Sequence, residues 1–294
     1  LFLGGDYRGM GRCKTCPYGP ARTDLSLRTC PDGLLSKGKI SDLWITCKQI
    51  LENMKQKKNI AKAGYIVWGM LAVITLITFA IAILTPPLSG PWCRGNCIDY
   101  PYLDIISRYP RDYYWMFGAI VLYLIYIPGL VVIHLSAGRK NKLVSFSALL
   151  FGFGGSLILL MDYFLQLAVI QPSLLMNEYD GISLLTQYNP HGIFIVLEEA
   201  GYFLITIAFL FQAFLYKGKG LKMAIRIVFL SGFGLSVISF LLLTLKFGLL
   251  REYFYEVAAI SVVWLVFIAN GAMLALYFRK KLKKLKQKEA LGGS

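Results

Sequence analysis

Histidine is nearly missing from this chain, which has two in 294 residues, His134 and His191. A three-histidine zinc site is therefore impossible, and no His-Glu-x-x-His helix occurs. The Gly-x-x-x-x-Gly-Lys-Ser/Thr phosphate loop, the Gly-x-Gly-x-x-Gly dinucleotide turn and the Gly-x-Ser-x-Gly nucleophile elbow are absent too. Nucleotide-driven chemistry within the chain is unsupported, and no cofactor or metal is implied. Charge is also scarce. Lys, Arg, Asp and Glu make up 16% of the residues, against about 25% in an ordinary soluble domain.

Apolar residues fill the gap, at 56% of the chain with a mean hydropathy of +0.58. A soluble fold cannot hide this much apolar surface, so a lipid bilayer must solvate it. Six runs are long enough to span, each needing about 20 residues. They lie near 63–84, 114–135, 143–170, 192–216, 223–245 and 255–278. The connections are short and leave no room for a soluble catalytic domain.

The net charge of +15 is not a nucleic-acid patch, because its lysines and arginines sit at the ends of apolar runs. Lys55, Lys57, Lys58 and Lys62 precede the first run; Arg139, Lys140 and Lys142 follow the second; Lys217, Lys219 and Lys222 follow the fourth. The tail RKKLKKLKQKE adds seven more basic residues. Between the third and fourth runs the loop has Glu178 and Asp180 but no Lys or Arg. In the loop after the first run, Asp99, Asp104 and Asp112 offset Arg94, Arg108 and Arg111. Positive charge stays on the cytoplasmic side. The predicted fold is thus all-α, a polytopic bundle of six transmembrane helices in the cell membrane with both termini cytoplasmic. That topology puts His134 and His191 near opposite faces and excludes a two-histidine haem. The basic tail anchors the topology and offers a contact for anionic lipid.

Residues 1–53 differ in kind: polar, with Cys13, Cys16, Cys30 and Cys47. Only Cys13 and Cys16 form a close pair, and no histidine stands near, so a structural zinc site is poorly supported. Met54 opens a short basic stretch that runs straight into the first span. Residues 1–53 therefore read as a leader dispensable to a membrane domain over 54–294. Cys93 and Cys97 fall in the first outer loop, where an oxidising environment permits a disulfide, with Gly95 between them for the turn. Small residues should bring helices together: Ala148, Gly152 and Ser156 in the third span, with Gly154 and Gly155 alongside, and Gly232 and Ser236 in the fifth.

The carboxylates inside apolar runs point to function. Asp162 lies in the third span about 12 Å from its outer end, and Glu198 in the fourth about 10 Å from its own, at 1.5 Å per residue. On antiparallel neighbours the two reach similar depth. His191, Glu198 and Tyr202 fall on one helical stripe, Gln166 stands one turn from Asp162, and Glu199 is turned about 100° from Glu198. Ionised groups at such depth cost several kcal/mol and face lipid rarely. The expected arrangement is an outward-facing polar pocket lined by Asp162, Gln166, His191, Glu198, Glu199 and Tyr202.

The segments MDYFLQLAVIQPSLL and QYNPHGIFIVLEEAGYFL carry a resemblance. They resemble a pattern in uncharacterised prokaryotic multi-span membrane proteins grouped as a family of unknown function. The resemblance covers mainly the third and fourth spans and implies six spans with no assigned activity.

Three roles suit this residue set. The pocket could bind or transport a cation or small polar ligand, for which acid, amide and phenol groups are apt. No inverted repeat of the usual transporter kind is evident. Asp162, His191 and Glu198 could instead act as acid and base on a lipid-like substrate. An accessory subunit using its polar groups to hold a partner helix is the third.

Overall fold

The computed structural model describes the backbone of residues 37–292 and the side chains of 52–291. The leader assigned to residues 1–53, with its four cysteines, lies outside the described residues except for helical backbone from Lys37. Helices dominate and no strand occurs among the described residues. Helices of this kind close their hydrogen bonds within each segment, as an apolar chain with no water to bond its amides must.

Six helices exceed 20 residues among the described residues: α1 (Lys37–Leu84), α2 (Tyr114–Ser136), α3 (Lys142–Leu165), α4 (Ile193–Ala213), α5 (Leu221–Phe247) and α6 (Glu252–Gly292). Their ends follow local chemistry. α1 stops before Thr85-Pro86-Pro87, since the residue before a proline leaves the helical region. α5 is bounded by Gly220 (φ +65°) and Gly248 (φ +60°), both left-handed positions suited to glycine. α3 continues through a π-helical turn, Gln166–Ile170, into a short helix, Gln171–Leu175.

Among the described residues five helical stretches are long and apolar enough to cross a membrane by length and composition: Glu52–Leu84, Arg111–Ser136, Arg139–Leu175, Ile193–Ala213 and Leu221–Leu291. The last holds both α5 and α6, which double back at Gly248–Arg251. Ser236 meets Tyr255, Gly232 faces Val266, and Asn270 donates to the Ile225 carbonyl, an antiparallel register.

Two helices outrun the apolar segments that predict them. α1 begins at Lys37 and α6 continues to Gly292. The extra turns are rich in Lys, Leu, Glu and Gln, which favour helix whether or not lipid surrounds them. The chain falls into two compact units, Ile60–Lys280 and a second comprising Leu1–Asn59 with Lys281–Ser294. Within the second, Lys58 Nζ pairs with Glu289 at 2.8 Å.

In the larger unit, α3 and α4 run antiparallel and touch backbone to backbone. A Cβ at Gly155 would stand 2.5 Å from the Gly201 carbonyl oxygen, and one at Gly201 would stand 3.2 Å from that of Gly155. Gly152 faces Leu130 and Tyr126 of α2. Gly154 meets nothing nearer than Leu204 at 3.9 Å. Gly155 and Gly201, rather than every glycine of the run, mark the crossing.

Gly155→Ala is therefore expected to lower stability by about 1–3 kcal/mol through overpacking. Gly154→Ala, one residue away, should leave the thermal melt in detergent unchanged. Equal effects from the two substitutions would contradict the crossing.

Candidate functional site

One end of the larger unit gathers the loops around residues 85–113, 171–192 and 248–251. Trp92 packs on Phe254, Tyr188 donates to Asp112, and His191 meets Glu252. The opposite end carries the turns after α2 and α4, where Lys142 donates to the His134 carbonyl and Tyr216 packs on Tyr277. The acids lie toward the first end.

From the crossing at Gly155 and Gly201, each helix carries its polar groups toward that end. α3 presents Asp162 and Tyr163 two turns beyond Gly155, and α4 presents Glu198 one turn from Gly201, with Tyr202 beside it. All four side chains are buried. The Tyr163 hydroxyl donates to Glu198 Oε1 at 2.6 Å and lies 2.8 Å from the Tyr202 hydroxyl.

A phenol carries one hydrogen. Because that of Tyr163 goes to Glu198, Tyr202 must donate to Tyr163. Tyr123 of α2 adjoins Tyr202, and its own oxygen accepts from Trp264 Nε1 of α6 at 3.1 Å. Donors thus run in one direction from Tyr202 through Tyr163 to the Glu198 carboxylate, and the Trp264–Tyr123 bond lies beside them. Chains of this kind polarise one another and bind a carboxylate more strongly than isolated bonds do.

Glu198 Oε2 and Asp162 Oδ2 are buried with no hydrogen-bond partner among the described residues. The acid alongside is Glu256 of α6, which interacts with Glu198, Glu199 and Asp162. Glu199 turns off the stripe, as its 100° rotation requires, and lies 3.7 Å from Arg251 Nη2. Four carboxyls therefore share this region, and Arg251 is the one basic group paired to any of them among the described residues.

The cavity at this end has a volume of about 320 Å³. Its wall includes Glu256 and Asp112 with Trp115, Trp264, Tyr253 and Phe79. None of the six residues expected to line a pocket reaches it, and Glu256 alone joins it to the acids. Asp112 is already engaged: Oδ1 accepts from Arg111 and Oδ2 from Tyr188 at 3.4 Å. Burial, with Tyr113 and Asp112 beside it, pushes the Tyr188 phenol far above its ordinary range, so it remains a donor.

Of the expected set, Asp162, Glu198, Glu199 and Tyr202 come together. Gln166 and His191 do different work. Buried Gln166 clips the following loop, donating to the Leu185 carbonyl and accepting from Gln187 N at 3.0 Å. The His191 side chain is 60% exposed and its Nδ1 pairs with Glu252 at 2.7 Å. The helical stripe places it wrongly because α4 begins only at Ile193, so residue 191 has no helical register. Cys93 and Cys97 are joined as a disulfide, with Cα atoms 5.9 Å apart.

Sequence reasoning missed Glu256, Tyr163, Tyr123 and Trp264. Glu256 was within reach of the same depth rule, since it is a carboxyl just inside the last apolar run. The aromatics carry no comparable signal, because rings in a span are usually packing or interfacial belts.

If Tyr163 holds Glu198, removing its hydroxyl leaves a buried acceptor unsatisfied. Tyr163→Phe is expected to cost about 1–3 kcal/mol. Combined with Glu198→Gln the losses should fall short of additive, with a coupling of roughly 0.5–3 kcal/mol. His191→Ala, at an exposed pair, should cost no more than about 1 kcal/mol. Unfolding in detergent measures all of these, and strictly additive losses would contradict the bond. No protein-family model, curated protein or solved structure matches this chain, so the site is read from its own geometry.

Proposed function

We propose that this is a six-pass membrane protein with both termini cytoplasmic, and that it binds a cation from the outer side, with transport as the natural extension. The topology is supported by the lysines and arginines of 55–62, 139–142, 217–222 and 279–288, which cluster at the ends of apolar helices. With α5 and α6 counted separately, the chain makes six passes, and the acids stand near the outer face. The basic tail, in this topology, meets anionic lipid of the inner leaflet.

One observation carries the binding assignment. Four carboxyls, Asp162, Glu198, Glu199 and Glu256, converge beside a cavity with Arg251 as their one paired cation among the described residues. Buried charge is tolerated only when something compensates it, and the deficit here is of positive charge. A cation entering at Glu256 would supply it. Glu256, which interacts with Glu198, is then where a proton and a cation compete, the basis of coupled exchange. Acid–base catalysis on a lipid has weaker support, since His191 pairs with Glu252 and does not line the cavity.

Anything that binds only the folded state stabilises it, by about 2.7 kcal/mol at a hundred times its dissociation constant. A cation series of sodium, potassium, calcium and tetraethylammonium, at fixed ionic strength in detergent, should include at least one member that raises the melting temperature. The shift should disappear in Glu256→Gln. If no cation in the series stabilises the wild type beyond that variant, the proposed function is wrong.

A further inference from the structure

The cavity has a chemistry of its own, apart from the acids behind it. An inorganic cation of the calcium type takes six to eight oxygen ligands at close range. Seven of the 21 residues in this wall are instead aromatic. Trp115 and Trp264 stand with ring centroids 6.2 Å apart, Phe79 meets Trp264 edge-on at 5.8 Å, and Tyr253 and Trp92 belong to the same lining. No lysine or arginine lines it among the described residues.

Of its two carboxyls, Asp112 is held by Arg111 and Tyr188, while Glu256 forms no ion pair among the described residues. Glu256 is nine-tenths buried, and the fully buried Glu198 Oε2 beside it has no donor. A volume of about 320 Å³ is far more than a bare ion needs and falls in the range of small organic ligands.

Aromatic rings, one carboxyl without an ion pair and room for carbon define a recognisable host. Rings attract a cation through their negative faces, and most effectively one too weakly hydrated to prefer water. We propose that the cavity binds an organic cation, a substituted ammonium group seated against Trp115, Phe79 and Tyr253 with its charge toward Glu256. The ligand class assigned here rests on the cation-binding reading of the acid cluster given above.

The lining also includes Ile83 of α1 and Val257 of α6, both exposed and apolar. The ammonium group can therefore come from solution or from a lipid headgroup, and the chemistry recognised is the same.

The test is isothermal titration of the purified full chain in phosphatidylglycerol nanodiscs, with empty nanodiscs as background. Tetraethylammonium chloride should bind saturably, and sodium chloride at equal concentration should not. Trp115→Leu should weaken tetraethylammonium binding by about tenfold, and Glu256→Gln by at least as much. Trp115→Tyr, which keeps a ring, should bind nearly as wild type, separating lost recognition from lost folding. Replacing part of the lipid with phosphatidylcholine identifies the source. Competition with tetraethylammonium marks a headgroup site, and its absence marks a soluble ligand.

Saturable binding of sodium equal to that of tetraethylammonium would overturn the organic-cation assignment while leaving the cation-binding function standing. Loss of binding in Trp115→Tyr as complete as in Trp115→Leu would overturn the aromatic cage. Failure of both cations to bind would remove the function and this assignment together.

Discussion

Backbone contact between α3 and α4 at Gly155 and Gly201 sets where everything polar in this bundle can go. Lipid offers no hydrophobic drive for one helix to approach another, so contact depends on how closely the backbones fit. With no Cβ on either side, the two helices meet directly and their registers become fixed. Asp162 and Tyr163 on one, and Glu198 and Tyr202 on the other, then share a level. Shifting the crossing by one residue would turn each of these side chains by about 100°, and the Tyr163–Glu198 bond would not form.

Once the register is fixed, the polar groups satisfy one another in a definite order. The Trp264 indole hydrogen points to Tyr123 and ties α6 to α2. Beside it, phenol hydrogens point from Tyr202 through Tyr163 to Glu198, tying α4 to α3 through a single carboxylate oxygen. The other oxygen of Glu198 has no hydrogen-bond partner among the described residues, and Glu256, the acid that interacts with Glu198, borders the cavity. One oxygen is committed to structure and the other is buried without a donor, an arrangement that packing alone would not favour.

Much of this was legible in the residues. Apolar runs and turn residues marked the six long helices, and depth counting brought Asp162 level with Glu198. The errors have physical causes. His191 was given a helical phase although α4 starts two residues later. Gln166 was assigned to a pocket, whereas the π-helical turn beginning at that residue accompanies its bonds to Leu185 and Gln187. Glu256 escaped notice because an acid at the mouth of a span resembles an interfacial residue, and only its inward facing reveals otherwise. Tyr163 carries no signal of its own, since a tyrosine next to an acid in sequence looks the same whether it faces lipid or a carboxylate.

The central claim is that Glu256 connects the buried acids to the outer aqueous side. Glu256→Cys, in a chain whose cysteines other than Cys93 and Cys97 are replaced by serine, tests it with a membrane-impermeant trimethylammonium thiol reagent on intact cells. Modification from outside is expected, with a cysteine at Lys140 modified only after permeabilisation. Modification of position 256 only after permeabilisation, or none under either condition, would contradict the account.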